Sequence, residues 1–278
     1  MQSADLFQPD RREPLGLETR PGATPAPFGS ARYFRFEFSS RGDRVPGRLL
    51  LPPADFAATG AHPLILLQHG IGGSKESAYL DAAVPWVHGG AAVASIDFPL
   101  HGERHSGKLS EQLIQSIDFA AHDRAEGSMS ELEAQLWVEF ARQAVLDLRR
   151  CLDALTGLSW IDEKKVVFAG FSLGAMLGSL FCGVDERPVA AALALAGGGF
   201  GPAQVDPCAL IGRVAPRPLL FVSALRDERV PRRASEQLFE AAGEPKTIEW
   251  FDSGHATLPG AALKAMWTFL RAQLGLAG

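Results

Sequence analysis

The 278 residues are 46% hydrophobic and 21% charged, the balance of a packed domain that buries enough surface to need no disulfide or metal staple. Lys plus Arg (27) against Asp plus Glu (32) leaves a net charge of −5, which argues against nucleic-acid or anionic-membrane partners. The polar, acidic start does not read as a secretory signal, and no run reaches the roughly eighteen apolar residues of a membrane span. Three cysteines (Cys151, Cys182, Cys208) without metal-ligand spacing add the expectation of reduced thiols in a cytoplasmic setting.

In chain order, residues 1–29, rich in Pro, Gly and charge, are expected to form an arm on the surface. Ala31 to Ser39 alternates aromatic and polar side chains, the period of a half-buried strand, placed antiparallel at one sheet edge. Arg48 to Leu51, ending at Pro52-Pro53, is its neighbour. The runs 63–69, 91–98, 165–171, 189–196 and 218–225 are almost wholly apolar, as parallel strands covered on both faces are. Between them lie helical spacings. The clearest carries Trp137, Phe140, Ala144, Leu148, Cys151, Leu152 and Leu155 three or four apart, with Ser130 and Glu133 at the spacing of a capping box. Alternating strands and helices predict one α/β domain over 30–278 built on a doubly wound, mostly parallel sheet. The stretch from about 103 to 129 is long for a connection. Its scattered Leu109, Leu113, Ile114, Ile117 and Phe119 predict a small cap over the site.

The chemistry-bearing signal is Gly170-Phe171-Ser172-Leu173-Gly174, between an apolar strand and a helix rich in small residues. This is the strand–turn–helix context of a G-x-S-x-G nucleophile elbow, in which glycines let strand and helix approach and a strained serine projects from the turn. A serine hydroxyl is a poor nucleophile unless a base takes its proton and a third group orients that base. His255 is the one histidine after Ser172, in a loop at the working edge of the sheet, and is the expected base. The expected acid is Asp227, just past the strand 218–225 where an active-site loop begins. Glu228 beside it is the alternative, and Asp252 lies too near His255. The bland reading pairs Asp227 with Arg226 or Arg229 at the surface.

Gln68 to Lys75 supplies a glycine-rich loop after a strand, so the N–H groups of Ile71 and Leu173 are the expected oxyanion hole. The loop lacks P-loop spacing, and His69 reads as structural. His101 and His105 are four apart, but Pro99 and Gly102 make this a loop rather than a zinc-binding helix. No metal or cofactor is expected. Cys182 reads as core, and Trp86, Leu100 and Phe200 are candidates for a substrate pocket.

With these pieces quoted, the chain resembles the α/β-hydrolase superfamily over about residues 30–275, nearest to its dienelactone-hydrolase-like and prolyl-oligopeptidase-like esterases. The matching segments are HGIGGSK (69–75), DFPLHGER (97–104), GFSLG (170–174), RDERVP (226–231) and SGH (253–255). Dienelactone hydrolases carry cysteine where Ser172 stands, which favours ordinary ester hydrolysis, and the chain has no room for the oligopeptidase propeller. The resemblance implies a serine carboxylesterase acting on a small-molecule ester through an acyl-enzyme. A thioesterase or acyltransferase would share the same triad, and a haloalkane dehalogenase would place Asp at 172. A non-catalytic binding protein of this fold would have lost one of the three residues, and none is missing. Acyl-chain length and homo-oligomer formation are left open.

Overall fold

Strands that are apolar at every position imply a sheet with two buried faces, and the computed structural model, which describes residues 3–54, 60–116 and 130–276, has that sheet. Its strands are β1 (Glu18–Pro21), β2 (Arg32–Ser40), β3 (Asp43–Leu51), β4 (His62–Gln68), β5 (Ala92–Ile96), β6 (Ile161–Phe171), β7 (Pro188–Ala194), β8 (Leu219–Ala224) and β9 (Lys246–Phe251). They lie in the order β1-β2-β3-β5-β4-β6-β7-β8-β9. The first three pair antiparallel and β3 joins β5 antiparallel, whereas β5, β4, β6, β7, β8 and β9 run parallel.

The helices are α1 (Val84–His88), α2 (Gly107–Ser116), α3 (Glu131–Leu155), α4 (Leu173–Val184), α5 (Cys208–Ile211), α6 (Arg232–Ala241) and α7 (Gly260–Leu274). Side chains alternate across the sheet at period two. Leu64, Leu66, Val166, Phe168, Leu219 and Phe221 therefore enter one core with residues of α3, α4 and α6. Ile65, Leu67, Val167, Ala169, Leu220 and Val222 enter the other with residues of α1 and α7. This is the doubly wound α/β architecture expected.

Three local features follow from identifiable residues. Ser130 accepts from the Glu133 N–H while Glu133 accepts from the Ser130 N–H, completing the capping box of α3, and all seven apolar residues read from its spacing are buried. β2 turns into β3 through Arg41 and Gly42, both at positive φ (55° and 80°), the conformation a two-residue hairpin loop requires. β3 begins at Asp43, five residues before the expected Arg48, because Gly47 accommodates the Phe36 ring, which would lie 2.2 Å from a Cβ there.

The segment expected as a surface arm is more deeply built in. Residues 18–21 form the edge strand, so β2 is second from the edge, and Phe7 and Phe28 are fully buried, one in each core. Arg149 donates to the Phe7 carbonyl at 2.6 Å and Arg150 to that of Glu13 at 2.8 Å. Of the expected cap, α2 buries Leu113 and exposes Leu109 and Ile114; Ile117 and Phe119 lie outside the described residues.

Candidate active site

β6 delivers its last residue into a turn at Ser172, whose φ of 53° and ψ of −117° lie where side chains are strained. The conformation persists because its surroundings admit nothing else. A Cβ on Gly170 would lie 2.6 Å from the Gly174 carbonyl carbon, and one on Gly174 would lie 2.6 Å from the His69 carbonyl oxygen. The Ser172 N–H donates to the Ala194 carbonyl at 2.8 Å, tying the turn to β7, and the Ser172 carbonyl accepts from Ala175 and Met176 to open α4.

The loops after β8 and β9 bring two further side chains to this turn. His255 Nε2 is 2.9 Å from Ser172 Oγ, and His255 Nδ1 is 2.9 Å from both carboxylate oxygens of Asp227. A carboxylate accepts only, so Nδ1 carries the proton and Nε2 is left to accept from the serine hydroxyl. Asp227 is itself fixed by the N–H groups of Arg229 and Val230, at 2.9 and 2.8 Å. Glu228, the alternative acid, accepts from the His255 backbone N–H at 3.0 Å, so it holds the loop rather than the ring. That bond keeps its carboxyl below the ordinary glutamate value. Asp252 pairs with Arg226 on the surface.

The Gln68–Lys75 loop faces the elbow. Ile71 lines the same pocket as Ser172, and Leu173 is the first residue of α4, where a helix leaves its N–H free. Three groups hold this loop, of which Tyr79 and Asp97 were given no such role from the sequence. The Gly70 N–H donates to the Tyr79 hydroxyl at 2.7 Å. His69 accepts from the Phe98 N–H at Nε2 (3.2 Å) and donates from Nδ1 to the Gly70 carbonyl (2.8 Å). Burial pushes its pKa down to about 4, so the ring is neutral and structural, as expected. At the far end Asp97, fully buried, accepts from the Lys75 N–H (2.7 Å), from Lys75 Nζ (2.9 Å) and from the Glu103 N–H (2.9 Å). Burial alone would lower the Lys75 pKa; bonds to Asp97 and Glu103 outweigh it and hold the ammonium above the ordinary lysine value. Gly102 is obligatory here, since a Cβ would lie 2.3 Å from the Asp97 carboxylate.

Over Ser172 opens a pocket of about 480 Å³ lined by Ile71, Tyr79, Phe171, Leu195, Arg229, Leu258 and Leu263 among others. The three residues expected in it are elsewhere. Trp86 is fully buried on the α1/α7 face, stacked on Trp267 at 6.3 Å. Phe200 packs in the α3/α4 core, and Leu100 lines a separate groove with Pro99 and Phe140. Large size and proximity to a strand end mark a core residue as readily as a pocket residue. None of residues 103–116 lines the pocket.

The remaining candidates are accounted for. His101 is buried, its Nδ1 donating to the Pro99 carbonyl at 2.8 Å. Among the described residues no group of three metal-ligating side chains converges. Cys182 is buried in the core, which pushes its thiol up to about 12. No helix among the described residues is long and apolar enough to cross a membrane.

Comparison with known proteins agrees with this architecture. Solved structures similar to the chain include a cold-adapted esterase from an Arctic intertidal metagenomic library (TM-score 0.70, 21% identity, 94% of this chain and 99% of that one). They also include the acetyl xylan esterase from Paenibacillus sp. R4 (TM-score 0.73, 19% identity, 97% and 92%). A third is acetyl xylan esterase 1 from Thermoanaerobacterium sp. JW/SL YS485 (TM-score 0.72, 16% identity, 98% and 91%). No curated protein matches the sequence. The family Acetyl xylan esterase (AXE1) matches residues 22–195, a span that holds the Gln68–Lys75 loop, Asp97 and Ser172. The chain therefore belongs to the acetyl xylan esterase family, within the α/β-hydrolase superfamily, and is a carboxylic ester hydrolase.

Proposed function

We propose that the chain hydrolyses short-chain acyl esters, acetyl esters among them, with Ser172 as nucleophile, His255 as general base and Asp227 as the acid that orients the imidazole. The observation that carries this reading is the unbroken row from Asp227 through His255 to Ser172, each step at 2.9 Å. As Ser172 Oγ attacks the ester carbonyl carbon, its proton passes to His255 Nε2 and Asp227 stabilises the imidazolium. The carbonyl oxygen becomes an oxyanion that accepts hydrogen bonds from the N–H groups of Ile71 and Leu173, each donor contributing about 3 kcal/mol to the transition state. Collapse breaks the bond to the alcohol, which leaves with the proton from Nε2. Water then attacks the acyl-enzyme with the same histidine as base, releasing the acid and restoring Ser172.

An apolar acyl group is supported by a pocket of about 480 Å³ with Phe171, Leu195, Leu258 and Leu263 in its lining, and acetyl esters by the names of the structural neighbours. The test is release of 4-nitrophenol from its acetyl, butyryl and octanoyl esters. The acetyl and butyryl esters are expected to react fastest, and Ser172→Ala to lose at least about 10⁴-fold in kcat. Equal rates for the variant and the parent protein would rule out Ser172 as the nucleophile. We keep a cytoplasmic setting as part of the proposal; three cysteines without a disulfide fit it.

A further inference from the structure

We infer that the ester taken by this site carries an anionic group, and that Arg229 recognises it; the inference rests on the reading of Ser172, His255 and Asp227 given above. Apart from His255, Arg229 is the only ionisable side chain other than Tyr79 among the described residues lining the pocket over Ser172. Its backbone is anchored beside the reacting groups, the N–H donating to Asp227 Oδ1 at 2.9 Å. Its exposed guanidinium, by contrast, has no hydrogen bond or ion pair among the described residues.

The neighbouring arginines differ. Arg226 pairs with Asp252 at 2.8 Å, Arg232 pairs with Glu236 at 2.7 Å and lies over the Trp250 ring, and Arg233 is engaged as well. The two carboxylates closest in sequence are already occupied, Asp227 with the His255 ring and Glu228 with the His255 N–H. Arg229 thus brings an unpaired positive charge to the rim of a pocket with mostly apolar walls, in a chain whose net charge is −5. Low-dielectric walls focus such a field into the cavity, and a guanidinium fork matches a carboxylate in two parallel hydrogen bonds.

The anion could sit on the acyl or on the alcohol side of the ester, and two pairs of substrates separate these. The acyl pair is the 4-nitrophenyl monoester of pentanedioic acid against 4-nitrophenyl pentanoate. The alcohol pair is 4-acetoxybenzoate against its methyl ester. On one pair the anionic member is expected to exceed its neutral partner by about tenfold in kcat/KM, and added salt is expected to shrink the ratio. Arg229→Gln should bring the ratio to about one, Arg229→Glu should invert it, and Arg229→Lys should keep part of it. The surface variant Arg226→Gln should preserve it. A wild-type protein with no preference on either pair, or a preference that survives Arg229→Gln, overturns the inference. In that case serine-dependent cleavage of the neutral partners leaves the esterase reading standing. Failure to cleave any of the four esters sinks both.

Discussion

Two aspartates with buried side chains sit just past the ends of parallel strands, and their surroundings separate a structural carboxylate from the one proposed for chemistry. Asp97, after β5, accepts two backbone N–H groups and the Lys75 ammonium, so it clamps the Gln68–Lys75 loop to the turn at Gly102–Arg104. Asp227, after β8, also accepts two backbone N–H groups, but its remaining partner is an imidazole that reaches Ser172. Position and burial are alike. What differs is whether the partner is the ammonium of Lys75 or the ring that, on the proposed mechanism, takes the proton of Ser172.

That contrast can be broken by the same change at both sites. On the proposed mechanism Asp227→Asn keeps an acceptor for the Arg229 and Val230 N–H groups but removes the charge that sets the His255 tautomer. Ester hydrolysis is expected to fall about 10⁴-fold in kcat, with the melting temperature nearly unchanged. Asp97→Asn leaves Lys75 buried without its principal counter-charge, because Glu103 is more than half exposed. Breaking a buried pair this way costs about 3 kcal/mol or more, a fall in Tm on the order of 10 °C. Calorimetric melts and steady-state rates on both variants check the pair of expectations. An Asp97 variant that melts normally yet is inactive would erase the distinction and place Asp97 in the chemistry.

The asymmetry also explains what could be read from the amino-acid sequence. β4 to β8 were legible because strands buried on both faces carry apolar residues at almost every position. The elbow was legible because Gly170 and Gly174 answer steric demands that no other residue meets. Residues 172, 227 and 255 were brought together by chain order, since each follows a parallel strand at the same sheet edge. The early start of β3 was hidden by Pro46 and Gly47, which usually end strands. The arm was misjudged because one phenylalanine at position 7 and one at 28 leave no periodic trace, although each is buried completely. The pocket was the weakest reading. Leu195, Leu258 and Leu263 come from segments without a signature, and their convergence depends on the sheet twist and the course of α7, which no local pattern encodes. The role of Asp97 was hidden for the same reason. DFPLHGER was visible as a motif, but its partner Lys75 lies 22 residues upstream.

The smallest effect tests how the loop is held at its other end. Lys75 is clamped by Asp97, whereas Gly70 is held by one bond from its N–H to the Tyr79 hydroxyl, and Ile71, the proposed oxyanion donor, follows directly. Tyr79→Phe deletes that acceptor and keeps the ring, which packs edge-on to Phe171 at 5.7 Å. The Gly70 N–H then lacks a protein partner, and the next peptide is free to turn its N–H away from the position where the oxyanion develops. Tyr79 is exposed enough for water to substitute in part, so the loss is expected near tenfold in kcat, with KM and Tm little changed. A change confined to KM would mean that Tyr79 serves only as pocket wall. A loss in kcat alone would show that the loop depends on both anchors, the ion pair for its stability and the phenol for its aim.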